Sequence, residues 1–137
     1  MSLKPDHKKA DGWSSQGSRE ILGLVQDCVK VVEAKKGEDI LLLDTRKLTL
    51  TDYFLIATAQ SGRQLKAIAD EIELRLKQRG GRIRGVEGTP ASGWMLVDAE
   101  DFFVHLFLPQ TRKYYDLEML WGDAPRLALE ELAATTS

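Results

Sequence analysis

Apolar positions along the chain change their spacing several times, and each change marks an element. From Ser18 onward Ile21, Leu24, Val25, Cys28 and Val32 recur at helical spacing until Lys35, Lys36 and Gly37 end the run. This predicts a helix capped by Ser18 that lays one face on a sheet. "DILLLD" over 39–44 and "YFLIATA" over 53–59 are short continuous apolar runs bounded by polar residues, as buried strands are. The segment between them, "TRKLTLTD", is too short for a crossover helix. Then comes "SGRQLKAIADEIELRLKQRGG", where Ser61 and Gln64 fit a capping box, Leu65, Ile68, Ala69, Ile72 and Leu76 form a stripe, and Gly80 and Gly81 close the helix.

Strands are predicted over 82–87, 94–98 and 102–108. Only "AED" separates the last two, which makes them an antiparallel hairpin. After Pro109, "TRKYYDLEMLWG" predicts one short helix with Tyr114, Leu117 and Trp121 turned inward, and a last turn or helix starts near Asp123 with Pro125 in its first turn. The order α-β-β-α-β-β-β-α predicts a single-domain α/β sandwich with a mixed sheet. Residues 1–17 lack periodicity and are expected to be a flexible leader.

Within the last strand Phe103, His105 and Phe107 alternate with Phe102, Val104, Leu106 and Leu108. Trp94 and Leu96 join the His105 face in one hairpin register and the opposite face in a register one residue away, and the sequence leaves both open.

Composition narrows the chemistry. With 43% apolar and 29% charged residues, 137 residues suit one soluble domain. The apolar runs are far below the ~20 residues needed to cross a bilayer. The N-terminus has no signal-peptide pattern, so a cytoplasmic protein is expected. Cys28 is the sole cysteine, which excludes an internal disulfide and a Cys-based zinc set and reads as a buried structural thiol. His7 and His105 are the only histidines, too remote from one another to form a metal set.

No phosphate-binding glycine loop and no G-x-S-x-G elbow occurs, and no cofactor is expected. The nearest thing to a catalytic cluster is Asp98, Glu100 and Asp101, which a small metal-dependent nucleotidyltransferase would use to hold a divalent ion. Hairpin-turn chemistry accounts for the same acids. The basic residues Arg63, Lys66, Arg75, Lys77, Arg79, Arg82 and Arg84 are interleaved with Asp70, Glu71 and Glu73, the pattern of a solvated face rather than of a nucleic-acid surface. Charge is uneven: residues 1–84 hold 16 Lys or Arg against 12 acids, and 85–137 hold 3 against 9. An acidic half favours encounter with basic proteins.

Taken together, "TDYFLIATAQSGRQLKAIADEIE", "GVEG", "GWMLVDAEDFFVHLF" and "RKYYDLEMLWGDAP", in this order, resemble the ribosomal silencing factor or Iojap-like family over residues 18–126, with 127–137 left as a helix end and tail. The resemblance implies a nucleotidyltransferase-like fold without catalysis. The Gly-Ser turn and acid-x-acid strand of that fold's enzymes are absent, Ser61 and Gly62 standing in reversed order before Arg63. It further implies binding to the large ribosomal subunit through its protein L-fourteen, a block on subunit association, repression of translation under nutrient limitation, and a homodimer of the free protein. The contact surface expected on this basis is Trp94, Met95, Asp98, Asp101, His105, Arg112, Tyr115, Glu118 and Trp121.

Overall fold

The computed structural model describes residues 13–136, and their side chains except at 13–16 and 18. His7 and most of the expected leader lie outside these residues. The first helix, α1, spans Trp13–Ala34, so Ser18 lies inside it and does not cap it. No proline interrupts 13–17, and extending a packed helix adds one hydrogen bond per residue fixed.

α1 ends where Gly37 N–H donates to Val32 O at 2.8 Å and Lys36 N–H to Glu33 O at 3.0 Å, the paired bonds of a left-handed helix stop. The left-handed position is Lys36, at φ 69°, while Gly37 is held where an added Cβ would lie 2.4 Å from Val32 Cγ1.

Strand β1 (Glu38–Asp44) pairs antiparallel with β2 (Tyr53–Thr58), and helix α2 (Gly62–Gln78) follows. Half of the predicted capping box forms: Ser61 Oγ accepts from Gln64 N–H at 3.1 Å, while the Gln64 side chain bonds elsewhere than Ser61 N–H. The Gln64 side chain also joins two neighbours, accepting from Gln60 N–H at 2.7 Å and donating to Lys35 O at 2.9 Å. Its buried stripe is Leu65, Ile68, Ala69, Ile72 and Leu76, as predicted.

Strand β3 is Gly85–Thr89, shifted C-terminally from the predicted 82–87. The shift follows from the turn over 90–93, where Gly93 N–H donates to Pro90 O and Ser92 N–H to Thr89 O, so that pairing with β4 (Trp94–Asp98) begins at once with Thr89 opposite Trp94. The predicted hairpin joins β4 to β5 (Phe102–Phe107).

The single helix predicted after Pro109 is two: α3 (Pro109–Tyr115) and α4 (Leu117–Leu120), with Asp116 between them in the left-handed region at φ 49°. Pro125 does not open a helix either. It precedes a two-residue strand, β6 (Arg126–Leu127), which pairs with β1, and the last helix, α5, is Leu129–Thr136. α5 packs on α1 and buries Leu132, so this segment belongs to the core.

The sheet order is β3-β4-β5-β2-β1-β6, mixed because β2 and β5 run parallel and every other pair antiparallel. All six residues of β2 are buried, as a central strand covered on both faces requires. Leu42, Leu55, Met95, Val97, Val104 and Leu106 pack in the larger core with α1 and α2. Leu43, Phe54, Ile56 and Phe107 face the other way, toward α4 and the chain after it, with Leu117 and Ala124.

Lys36→Gly removes a side chain from a conformation that favours glycine. The expected outcome is a gain of about 0.5–1 kcal/mol in urea unfolding at unchanged m-value, and a loss would contradict this account of the helix stop.

A candidate docking face

Hairpin register decides which residues can act together. Trp94 pairs with Phe107, Leu96 with His105 and Asp98 with Phe103, so Trp94, Leu96, Phe103, His105 and Phe107 share one sheet face. Of the two registers open at the sequence level, the structure adopts the one that gathers the aromatics. Parallel pairing adds Phe54 beside Phe103 and Ile56 beside His105.

The rings form a continuous layer. Phe54 stands edge-on to His105 at 4.9 Å between centroids and stacks with Phe103 at 5.8 Å, and Trp94 stacks on Phe107 at 5.3 Å. Offset and edge-on rings at these distances add to the burial term.

His105 is 6% exposed, and neither ring nitrogen has a hydrogen-bond partner among the described residues. Burial lowers its pKa to about 4. It is therefore a neutral, core-like ring under the face and not a contact on it. Met95 also departs from the expected surface: it alternates to the other side of β4 and is 6% exposed in the core with α2.

One side chain ties the helical layer to two strands at once. Arg112, with 13% of its side chain exposed, donates through Nη1 to Asp39 O at 2.5 Å and Thr58 Oγ1 at 2.8 Å, and through Nε and Nη2 to Glu118 Oε2 at 3.1 and 2.9 Å. It thus joins α3 to β1, β2 and α4. Arg112 and Glu118, both expected to touch a partner, bond each other, and Arg112 also bonds β1 and β2. Asp116 ends α3 by donating its N–H to Arg112 O and starts α4 by accepting from Met119 N–H on Oδ1 at 3.3 Å. Asp tolerates the left-handed conformation that this double role demands.

The break at Asp116 turns apolar side chains outward. Tyr114, predicted to be core, is 81% exposed, with Met119 at 77%, Leu120 at 66% and Tyr115 at 45%. Leu117 is buried, and Trp121 is half-buried with its ring edge-on to Phe54 at 5.7 Å. Tyr115 lies 4.6 Å from Trp94, and these two with Leu96, Glu87, Gly88 and Ser92 line a shallow cavity of about 200 Å³. Met119, Leu120, Leu96 and Glu87 were not part of the contact surface expected from the sequence. The apolar pair in "LEML" was the available signal, and a continuous helix would have placed it differently.

Asp98 lies on the same side of the sheet as Trp94 but at the far end of β4, and Asp101 is in the turn that follows. Asp98 is four residues from Trp94 along β4, about 13 Å at the usual strand rise. Its Oδ1 accepts from Glu100 N–H at 2.9 Å, a turn-stabilising bond, while Glu100 pairs with Arg82. Among the described residues no three His, Cys, Asp or Glu side chains group as metal ligands would. Nor is any helix there long and apolar enough to cross a membrane.

The fold is a single-domain α/β sandwich with an exposed apolar helical layer beside an aromatic shelf. Comparison with known proteins gives that class its family. The family described as ribosomal silencing factor during starvation matches residues 18–137. Ribosomal silencing factor RsfS of Chromobacterium violaceum is 45% identical over 104 residues, 75% of this chain and 85% of that protein. Protein Iojap, chloroplastic, of Arabidopsis thaliana is 34% identical over 111 residues, 80% of this chain and 46% of that protein. Among solved structures, a crystal structure of a Chromobacterium violaceum protein matches with a TM-score of 0.69 at 45% identity, covering 72% of this chain and 83% of that one. One from Bacillus halodurans matches at 0.68 and 35%, covering 80% and 98%. The chain belongs to the ribosomal silencing factor family. Membership supports a ribosome-associated role in repressing translation.

Two predictions test the layer. Arg112→Met leaves Glu118 and Thr58 without their partner, and chemical denaturation should show a loss of about 3 kcal/mol. A loss under 1 kcal/mol would mean that Arg112 does not hold the helices. For His105 the unfolded chain binds a proton more readily than the folded one between the ordinary histidine pKa and about 4, so stability is complete at neutral pH and falls as pH drops through that window. Wild type should lose about 2 kcal/mol more than His105→Phe between pH 7.5 and pH 5, and equal slopes would place the charge-sensitive group elsewhere.

Proposed function

We propose that this protein acts in the cytoplasm by docking on the large ribosomal subunit through ribosomal protein L-fourteen, where its bulk blocks joining of the small subunit and so represses translation when nutrients are short. The observation that carries this reading is the exposed patch of Tyr114, Tyr115, Met119 and Leu120 beside the half-buried Trp94. Scattered apolar side chains are normal on a surface, but contiguous ones rimmed by polar residues mark contact sites. Trp and Tyr supply large contact area with few rotatable bonds, which suits anchor positions.

Charge supports the same direction. The patch belongs to the half of the sequence with 9 acids against 3 basic residues, which favours approach to a basic protein. Within the surface inferred from the sequence, Trp94 and Tyr115 are the direct anchors, with Trp121 and Glu118 at its margin. Arg112 positions them, His105 supports Trp94 from below, and Met95, Asp98 and Asp101 fall outside. Blocking of this kind makes and breaks no covalent bond; it needs an interface of ordinary size at a place the small subunit must also occupy. A homodimer of the free protein would cover the same apolar side chains and compete with docking.

Met119→Ala alters an exposed side chain and should leave unfolding unchanged, and Tyr115→Ala, which also loses the ring contact with Trp94, should cost about 1 kcal/mol and leave the protein folded. Each should weaken co-sedimentation with purified large subunits about tenfold or more, the effect of losing an interface anchor. Undiminished binding in both would remove this surface from the reading.

A further inference from the structure

We infer that the outer edge of β3 receives an extended strand from the large-subunit partner, continuing the six-stranded sheet by main-chain pairing; this inference rests on the docking reading above. β3 ends the sheet and pairs with β4 alone among the described residues. The two edges are unlike. The β6 edge is two residues long and leads directly into α5, which packs on α1, whereas the β3 edge is five residues long, with Gly88 in the left-handed region at φ +86°.

Natural edge strands are usually guarded by lysine, proline or an inward charge. Gly85, Val86, Glu87, Gly88 and Thr89 include no lysine and no proline, and their one charge, Glu87, lies on the side of the sheet that carries Trp94. Gly88, at φ +86°, sits so close to β4 that an added Cβ would lie 2.1 Å from Trp94 O, so the edge is fixed against the strand that carries the aromatic anchor.

Position favours a partner strand over a solvated edge. Glu87 and Gly88 line the cavity whose other walls are Trp94, Leu96 and Tyr115, so the edge and the docking face are continuous. Glu87 pairs with Leu96 and Thr89 with Trp94, which sets both on the docking side of β3. A strand added outside β3 would bring alternate side chains over that cavity, roughly 5 Å from Glu87. The occupant that fits is an extended segment with an apolar side chain at the position facing Trp94, Leu96 and Tyr115. Main-chain pairing then supplies attachment, and the cavity supplies selectivity.

Amide hydrogen exchange resolved along 85–89, with and without purified large subunits, tests this directly. Because only alternate residues of a strand point their N–H groups to a given edge, the expected result is slowing of about tenfold or more at alternate β3 amides on binding, together with slowing around Tyr115. Slowing around Tyr115 with β3 exchanging at its free rate would overturn the inference and leave the docking reading standing. Absence of any binding would overturn both. Slowing of β3 that grows with the protein's own concentration, without subunits, would assign the edge to a second copy and overturn the partner strand.

Discussion

The parallel pairing of β2 with β5 is the constraint on which the rest depends. It places two almost wholly buried strands at the centre of the sheet, so both faces need covering, and it sets Phe54 beside Phe103 and Ile56 beside His105. Two long helices cover one face. Only two short helices and the chain after them cover the other, which leaves the β4 side of that face half open. The exposed face proposed for docking is thus a consequence of unequal cover: the same aromatic layer is core beneath Leu117 and surface beside Trp94.

That arrangement explains the two polar residues placed where polarity is costly. Arg112 reaches into the join between α3 and the sheet, where its fork finds two oxygen acceptors on β1 and β2 and a carboxylate on α4. Asp39, whose carbonyl accepts one of these bonds, is itself in the left-handed region at φ 52°, so local backbone strain and the arginine bond belong to one structure. His105 is tolerated because it stays neutral and stacks like its aromatic neighbours.

Much of this was legible in the sequence, for reasons particular to each element. The α2 stripe and cap are local signals at fixed spacing, and the three-residue link between β4 and β5 admits little except a hairpin. Trp94 and Tyr115, picked out in the sequence from their company of acids, do lie side by side, 4.6 Å apart. What the sequence left open depends on contacts distant along the chain. Hairpin register was ambiguous because both faces of β5 are apolar, so alternation carried no preference. The fate of Met95 followed from that ambiguity. The break at Asp116 was hidden because helical spacing of Tyr114, Leu117 and Trp121 persists on paper through a residue that adopts a left-handed conformation only when neighbouring bonds repay it. β6 is two residues long and forms only because β1 offers it an edge.

The central claim is that occupancy of this face on the large subunit keeps the small subunit away. The measurement that tests it most directly is a subunit-joining assay on sucrose gradients, with the protein titrated into separated large and small subunits before association is triggered. The account predicts that the joined-ribosome peak falls in step with protein bound to the large subunit. Joined ribosomes forming undiminished while carrying the bound protein would contradict it.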